Sequence, residues 1–324
     1  MLGRTPVQVG LESQFTLTLA FGRLHVLHLL LIEEGSMKKV LAVCFIICLA
    51  LIVCDPTVSA NDALRKALTF HASFDEVVDA DFALGNKQLY TATSYKMRED
   101  AKPGLHHPDV QLLTGTGRFG GGLKFAKKNT KAVYYQAAKN VAHKVRDWNG
   151  TVSFWLSLDP ETDLEPGYCD PIQVTDEDYN DAALWVDFTK DDKPRHFRLG
   201  VFGDLKSWNP KDLPPDKNPD FMGRLAVVKK TPFARGRWTH VVITHQGLGG
   251  AKGGMAKLYL DGIFQGRTPV ISEPFGWDLE RAAIRLGVNY VGLFDDLSVF
   301  NRELSESEVK ALHQLKNGVK SLKP

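Results

Sequence analysis

"LLTGTGRFGGGLKF", residues 112–125, decides the fold. Gly115, Gly117 and Gly120 stand in the G-x-G-x-x-G spacing with which a dinucleotide-binding enzyme cradles a pyrophosphate. That chemistry needs a helix opening on the last glycine, so that free N–H groups and the helix dipole face the phosphate. Two more glycines follow instead, then the alternating "LKF" and "KKNTKAVYYQ", with no amphipathic helix. The stretch reads as a strand, "DVQLL", a β-turn whose glycines supply φ > 0, and a second strand.

Outward from this turn the same device recurs. "TVSFWLSL" (151–158) sets Val152, Phe154, Leu156 and Leu158 on one face and Ser153, Trp155 and Ser157 on the other. "LWVDF" (184–188), "HFRLGVF" (196–202), "WTHVVITH" (238–245) and "AKLYLDG" (256–262) repeat it, and Asp261-Gly262 marks a tight hairpin. One helix is expected near the C-terminus, in "SESEVKALHQLKNG". Ser305 and Glu308 make a capping box, Val309, Leu312 and Leu315 form a stripe, and Gly318 is placed to end it. Residues 159–181 and 203–223 are rich in Pro and Asp and read as long loops, where binding residues concentrate. With no βαβ periodicity, the chain is all-β and mostly antiparallel.

At 44% apolar and 24% charged, the 324 residues have an ordinary globular composition. Lys plus Arg number 40 against 38 Asp plus Glu, a balance that gives no reason to expect nucleic acid or an anionic membrane as partner. The N-terminal part follows other rules. Lys38 and Lys39 after Met37, the apolar run Val40–Val53 and Val58-Ser59-Ala60 read as a signal peptide over 37–60, cleaved after Ala60. The run is shorter than the roughly twenty residues of a spanning helix, so no membrane insertion is expected after cleavage. Residues 1–36 then read as an upstream extension, with Met37 as the start. Of the four cysteines only Cys169 remains in the mature chain, which excludes an internal disulfide and a thiolate metal cluster. The destination is the medium, the periplasm or the cell envelope.

No G-x-S-x-G, H-E-x-x-H or phosphate-binding loop is present. His106-His107 reads as a solvated loop. "DEDYNDAALWVD" (176–187) starts like an EF-hand but has Asp181 where the sixth position needs Gly and Asp187 where the twelfth needs Glu, and reads as an acidic surface loop running into a strand. "YVGLFDDLSVF" (290–300) is different. Strict alternation puts Asp295 with Leu293, Leu297 and Val299, and Asp296 with Phe294 and Phe300, so one aspartate must face apolar surroundings. It needs backbone N–H groups, Arg302, or a bound calcium.

"LTFHASFDE", "GRFGGGLKF", "GTVSFWLSLDP", "RWTHVVITHQG", "AKLYLDGIFQG" and "VGLFDDLSVFNRELSESEV" together resemble, in order, the strands of a laminin-G-like domain of the concanavalin A-like lectin/glucanase superfamily. The resemblance covers about residues 68–312 and leaves 313–324 as a tail. It implies a two-sheet antiparallel jelly-roll sandwich with a short C-terminal helix, exported and usually non-enzymatic. It also implies one calcium between the first and last strands, held by an aspartate of the initial Phe-Asp and one of the terminal pair. Those positions match Asp75 and Asp295, with Asp296 adjoining. Glycoside hydrolases share the superfamily, but their Glu-x-Asp-x-x-Glu or Glu-x-Asp-x-Glu strand is absent.

The expectation is a non-catalytic, calcium-stabilised binding module for a glycan or an extracellular protein of the cell surface or matrix. A glycan-cleaving enzyme of the same fold and a structural envelope protein are the alternatives. If strands 151–158, 184–188 and 196–202 are neighbours, Trp155, Trp185 and Arg198 share one open face, two flat rings and a forked donor for a sugar. Otherwise the tryptophans lie beneath the 203–223 loop as a secondary core.

Overall fold

A computed structural model of the chain describes residues 56–128 and 131–322. The expected upstream extension and the apolar run of the expected leader lie outside the described residues. Helix α1 (Pro56–Ala67) comes first; it contains the expected cleavage site, Val58–Ala60, and buries Leu64 and Ala67 beyond it.

Strands β1 (Leu68–Ala72), β2 (Phe82–Ala83), β3 (Leu89–Ala92), β4 (Lys102–Pro103), β5 (Val110–Leu113), β6 (Gly122–Phe125) and β7 (Ala132–Gln136) follow. Then come β8 (Trp148–Ser157), β9 (Cys169–Thr175), β10 (Ala183–Phe188), β11 (Phe197–Phe202), the short helices α2 (Leu205–Trp208) and α3 (Pro219–Gly223), and β12 (Leu225–Val228). The chain continues through β13 (Thr239–Leu248), β14 (Met255–Leu260), β15 (Ile263–Arg267), β16 (Ala283–Val288) and β17 (Gly292–Phe300) to helix α4 (Glu306–His313) and a 3-10 turn, Val319–Leu322.

The strands form two antiparallel sheets. The nine-stranded sheet runs β15-β14-β13-β8-β17-β1-β2, with β6 also on β17 and β5 on β6; the eight-stranded sheet runs β12-β11-β10-β9-β16-β7-β3-β4. Alternation supplies the core between them. Val152, Phe154 and Leu156 from β8, with Leu158 just past its end, meet Ile172, Val174, Leu184, Val186, Leu199 and Val201 from the opposite sheet. The glycine stretch is the β5–β6 hairpin, with Gly115 and Gly120 at positive φ, and Asp261-Gly262 turns β14 into β15.

Three readings of the sequence need correction. Residues 159–181 are not all loop: Cys169–Thr175 is an inner strand whose Pro and Asp obscure its alternation, and residues 203–223 contain α2 and α3. Helix α4 has the expected capping box but ends at His313, with Gln314 as its cap; Gly318, at φ +64°, precedes the 3-10 turn instead. On β17 the alternation breaks. Phe294, Leu297 and Val299 all enter the core, because Asp295 faces Trp155 while Ser298 faces Ser153, which leaves an extra residue at Asp296 (φ +52°).

Candidate functional site

The bulge on β17 marks a gap in the sheet. One edge of β17 pairs with β6 through Gly292–Phe294 and with β1 through Leu297–Phe300; Asp295 and Asp296 sit between the two partners, both buried. Asp295 Oδ2 accepts the backbone N–H groups of Arg118 (2.6 Å) and Phe119 (3.1 Å), and Oδ1 that of Asp296 (2.8 Å). The glycine turn thus does present N–H groups to an anion, but the anion is the chain's own aspartate. Burial pushes Asp295 up to about 7 against the pull of these three bonds. Arg302 is engaged elsewhere, with Glu308 at 2.6 Å. Burial raises Asp296 well above the usual carboxylate range, and neighbouring Asp295 adds to this; its Oδ2 accepts the Val319 N–H (3.3 Å) and its Oδ1 lies 3.7 Å from His71 Nε2.

Asp75, just past β1, completes this cluster. Its Oδ2 pairs with Lys320 Nζ, while Oδ1 is buried without a hydrogen-bond partner. The glycines close on these carboxylates because they lack Cβ atoms. A Cβ on Gly120 would stand 2.2 Å from Asp75 Oδ1, and one on Gly117 would stand 2.8 Å from Asp295 Oδ2. An orphaned carboxylate oxygen in a glycine-walled cradle suits a hard cation such as calcium. Among the described residues no three acidic, histidine or cysteine side chains converge to hold a metal, so backbone carbonyls and water would have to complete its shell.

The structure separates the three residues expected to share a ligand face. Trp155 lies on the outer face of the nine-stranded sheet; Trp185 and Arg198 lie on the outer face of the eight-stranded sheet. Alternation gives each side chain its face but not its sheet. Trp155 is buried beneath α4, stacked on His240 (4.6 Å between ring centroids) and His313 (5.4 Å), with the Arg118 guanidinium 4.9 Å from its centroid. Trp185 is buried with Phe202, Trp208 and Phe221, and donates its indole N–H to the Tyr179 carbonyl (2.6 Å). Both are secondary core, and for Trp185 the cover is the 203–223 segment.

Arg198 sits in a different setting. Register aligns Trp185, Gln173, Arg285, Tyr134 and Tyr90 across the outer face, with Asp187 and Arg198 opposite one another in the adjacent row. Arg198 forks onto Asp187, Nε to Oδ1 at 2.8 Å and Nη2 to Oδ2. Asp170 has no ion pair among the described residues; Gln173 Nε2 donates to its Oδ2, and burial together with the Asp187 charge raises its pKa well above the usual range. Tyr168, 44% exposed, lies over Arg198 at 4.9 Å. Two covers flank this group. Tyr95 and Arg98 lie over Arg285 and Tyr134 on one side, and Trp208 and Phe221 lie over Trp185 and Phe202 on the other. Between them is a seam where Asp170, Gln173, Asp187 and Arg198 lie buried and Tyr168 is the exposed side chain above them. Asp170, Gln173 and Tyr168 escape sequence reading because they lie in or beside the strand that reads as loop.

A laminin G model, described as the concanavalin A-like lectin/glucanases superfamily, matches residues 132–310. No curated protein matches the chain. Among solved structures, domain 4 of AbnA, a GH43 extracellular arabinanase from Geobacillus stearothermophilus in complex with arabinotriose, is 16% identical with a TM-score of 0.49, over 76% of this chain and 98% of that one. The botulinum neurotoxin serotype D ligand binding domain in complex with N-acetylneuraminic acid is 11% identical with a TM-score of 0.49, over 79% of this chain and 53% of that one. Trypanosoma rangeli sialidase in complex with 2,3-difluorosialic acid is 14% identical with a TM-score of 0.45, over 78% of this chain and 33% of that one. The chain thus spans about half of the neurotoxin chain and a third of the sialidase, and these likenesses concern the fold alone.

Proposed function

Because the chain belongs to the concanavalin A-like lectin/glucanase superfamily, we propose that it is an exported binding module that reads a glycan at the seam on the eight-stranded sheet. The observation that carries this is the convergence of Asp170, Gln173, Asp187 and Arg198 on adjacent strands under the half-exposed ring of Tyr168. Sugar hydroxyls donate and accept at once. Carboxylate and amide oxygens take their protons, guanidinium and amide N–H groups bond their oxygens, and the ring offers a flat apolar surface to C–H groups. A glycoprotein of the cell surface or matrix presents the same chemistry.

The test is a glycan array probed with the mature chain and with its Tyr168→Ala and Gln173→Ala variants. Both variants are expected to lose the bound glycans, Tyr168→Ala while unfolding near the wild-type temperature and Gln173→Ala at a lower one, because it strips buried Asp170 of its donor. Undiminished binding by both would remove the seam from consideration. The paired aspartates favour a second reading, cleavage. Burial raises both carboxylates, Asp170 further because the Asp187 charge adds to it and Asp187 less because the Arg198 guanidinium pulls it back, and carboxylates of unequal proton affinity can divide the acid and base roles. Reducing ends released from an arrayed glycan would establish it.

The cradle of Asp75 and Asp295, with Asp296 behind it, is proposed to hold a structural calcium, which would balance the buried negative charge that these carboxylates bring together. A cation that binds only the folded chain stabilises it by about 2.7 kcal/mol at a hundredfold excess over its dissociation constant. Chelator should therefore lower the melting temperature of wild type but not of Asp75→Ala. Identical curves with and without chelator for wild type would refute the metal.

A further inference from the structure

The cradle carboxylate with the orphaned oxygen already meets a cation of the chain's own. Lys320 Nζ pairs with Asp75 Oδ2, the oxygen next to the unpartnered Oδ1. Lys320 is delivered there by the 3-10 turn Val319–Leu322. Gly318, at φ +64°, carries the chain over Asp296, where a Cβ would stand 2.9 Å from Asp296 Oδ2. The Val319 N–H bonds that same oxygen, and the Ser321 hydroxyl donates to the Gly318 carbonyl (2.7 Å). Val319 and Leu322 are buried in the apolar layer with Leu64, Leu304, Val309 and Leu312. The turn is thus anchored on both sides of Lys320, whereas the Lys320 side chain itself is 50% exposed.

We propose that Lys320 is a tethered competitor for the cation cradle, whose ammonium must leave Asp75 before a calcium ion gains that carboxylate. The inference rests on the calcium reading of the same cradle. Two cations on one carboxylate repel each other, and the ammonium is present at a fixed, high local concentration because the turn holds it there. The turn has no need to move, since apolar burial fixes it; only a side chain already half in water swings away. Competition of this kind weakens the site and suits it to the high calcium levels outside cells, where modules bind in roughly the 10⁻⁴–10⁻³ M range.

Isothermal titration of calcium chloride into the full mature chain tests this, with wild type, Lys320→Met, Lys320→Gln and Lys320→Arg. The two neutral variants are expected to bind calcium about tenfold more tightly than wild type, about 1.4 kcal/mol. The Arg variant should stay near wild type, and each millimolar of calcium should raise the melting temperature of the neutral variants more. Wild-type affinity in both neutral variants would overturn the competition and leave the calcium reading standing. Absence of calcium binding in all four chains would overturn both.

Discussion

Single buried charges show how much each residue depends on its partner. Arg198 and Asp187 are both more than nine-tenths buried and forked together. Truncating one leaves the other charged in a place water barely reaches, so Asp187→Ala is expected to cost about 3–5 kcal/mol in urea unfolding. A loss below about 1 kcal/mol would mean that water reaches Arg198. His245 is a second case. It is buried beside Trp148, its Nδ1 3.3 Å from the Trp148 carbonyl, and burial pushes its pKa down to about 4. The unfolded chain holds that proton with a pKa near 6.5. Unfolding therefore takes up a proton in acid: the stability contribution is whole above about pH 6.5 and falls as the pH drops toward 4, by about 3 kcal/mol. Buried aspartates with raised pKa values respond in the opposite sense, so the measurable quantity is the difference between wild type and His245→Gln. That difference should shift by about 3 kcal/mol between pH 7 and pH 4, and parallel pH curves would contradict it.

At the scale of elements, α4 shows a local signal serving a distant end. Its capping box satisfies the Ser305 and Glu308 N–H groups, and Glu308 also takes the Arg302 guanidinium. The helix so fixed lays Val309 and Leu312 on the nine-stranded sheet and His313 on Trp155. Ser305→Ala should cost about 1 kcal/mol of global stability, measured by urea unfolding. If amide exchange showed only α4 fraying, with the rest of the chain unaffected, the helix would be an ornament rather than part of the core. The β5–β6 hairpin makes the complementary point. Its glycines suggest a turn in any context, yet their spacing also lets the turn close on Asp75, just past β1, and on Asp295 of β17, both far away in sequence.

For the whole molecule, both outer faces are covered. Helices α1 and α4 and the 3-10 turn cover the nine-stranded sheet, while loops and short helices flank the seam on the other. Cleavage after Ala60 would remove the first turns of α1 but keep Leu64 and Ala67, its buried residues. We expect exported protein to begin at Asn61, read by N-terminal sequencing. A dominant product that still carries Met37 would contradict export through a cleaved leader. Among the described residues no helix is long and apolar enough to cross a membrane.

The sequence by itself determined what depends on neighbours along the chain. The alternation of Val152 to Leu158, the Asp261-Gly262 turn, the Ser305–Glu308 cap and the lack of a helix after Gly120 are local, and all four recur in the structure. Asp75 and Asp295 came from ordered resemblance, and the structure brings both against one glycine turn. Tertiary structure alone decided which strands became neighbours. Trp155 and Trp185 have the same pattern and lie on different sheets, Asp296 breaks the alternation because β17 changes partners there, and Lys320, in an expected tail, reaches Asp75. Period-two alternation fixes which way a side chain points from its own strand, but strand pairing is chosen by contacts between residues far apart in the chain, and no local pattern encodes them.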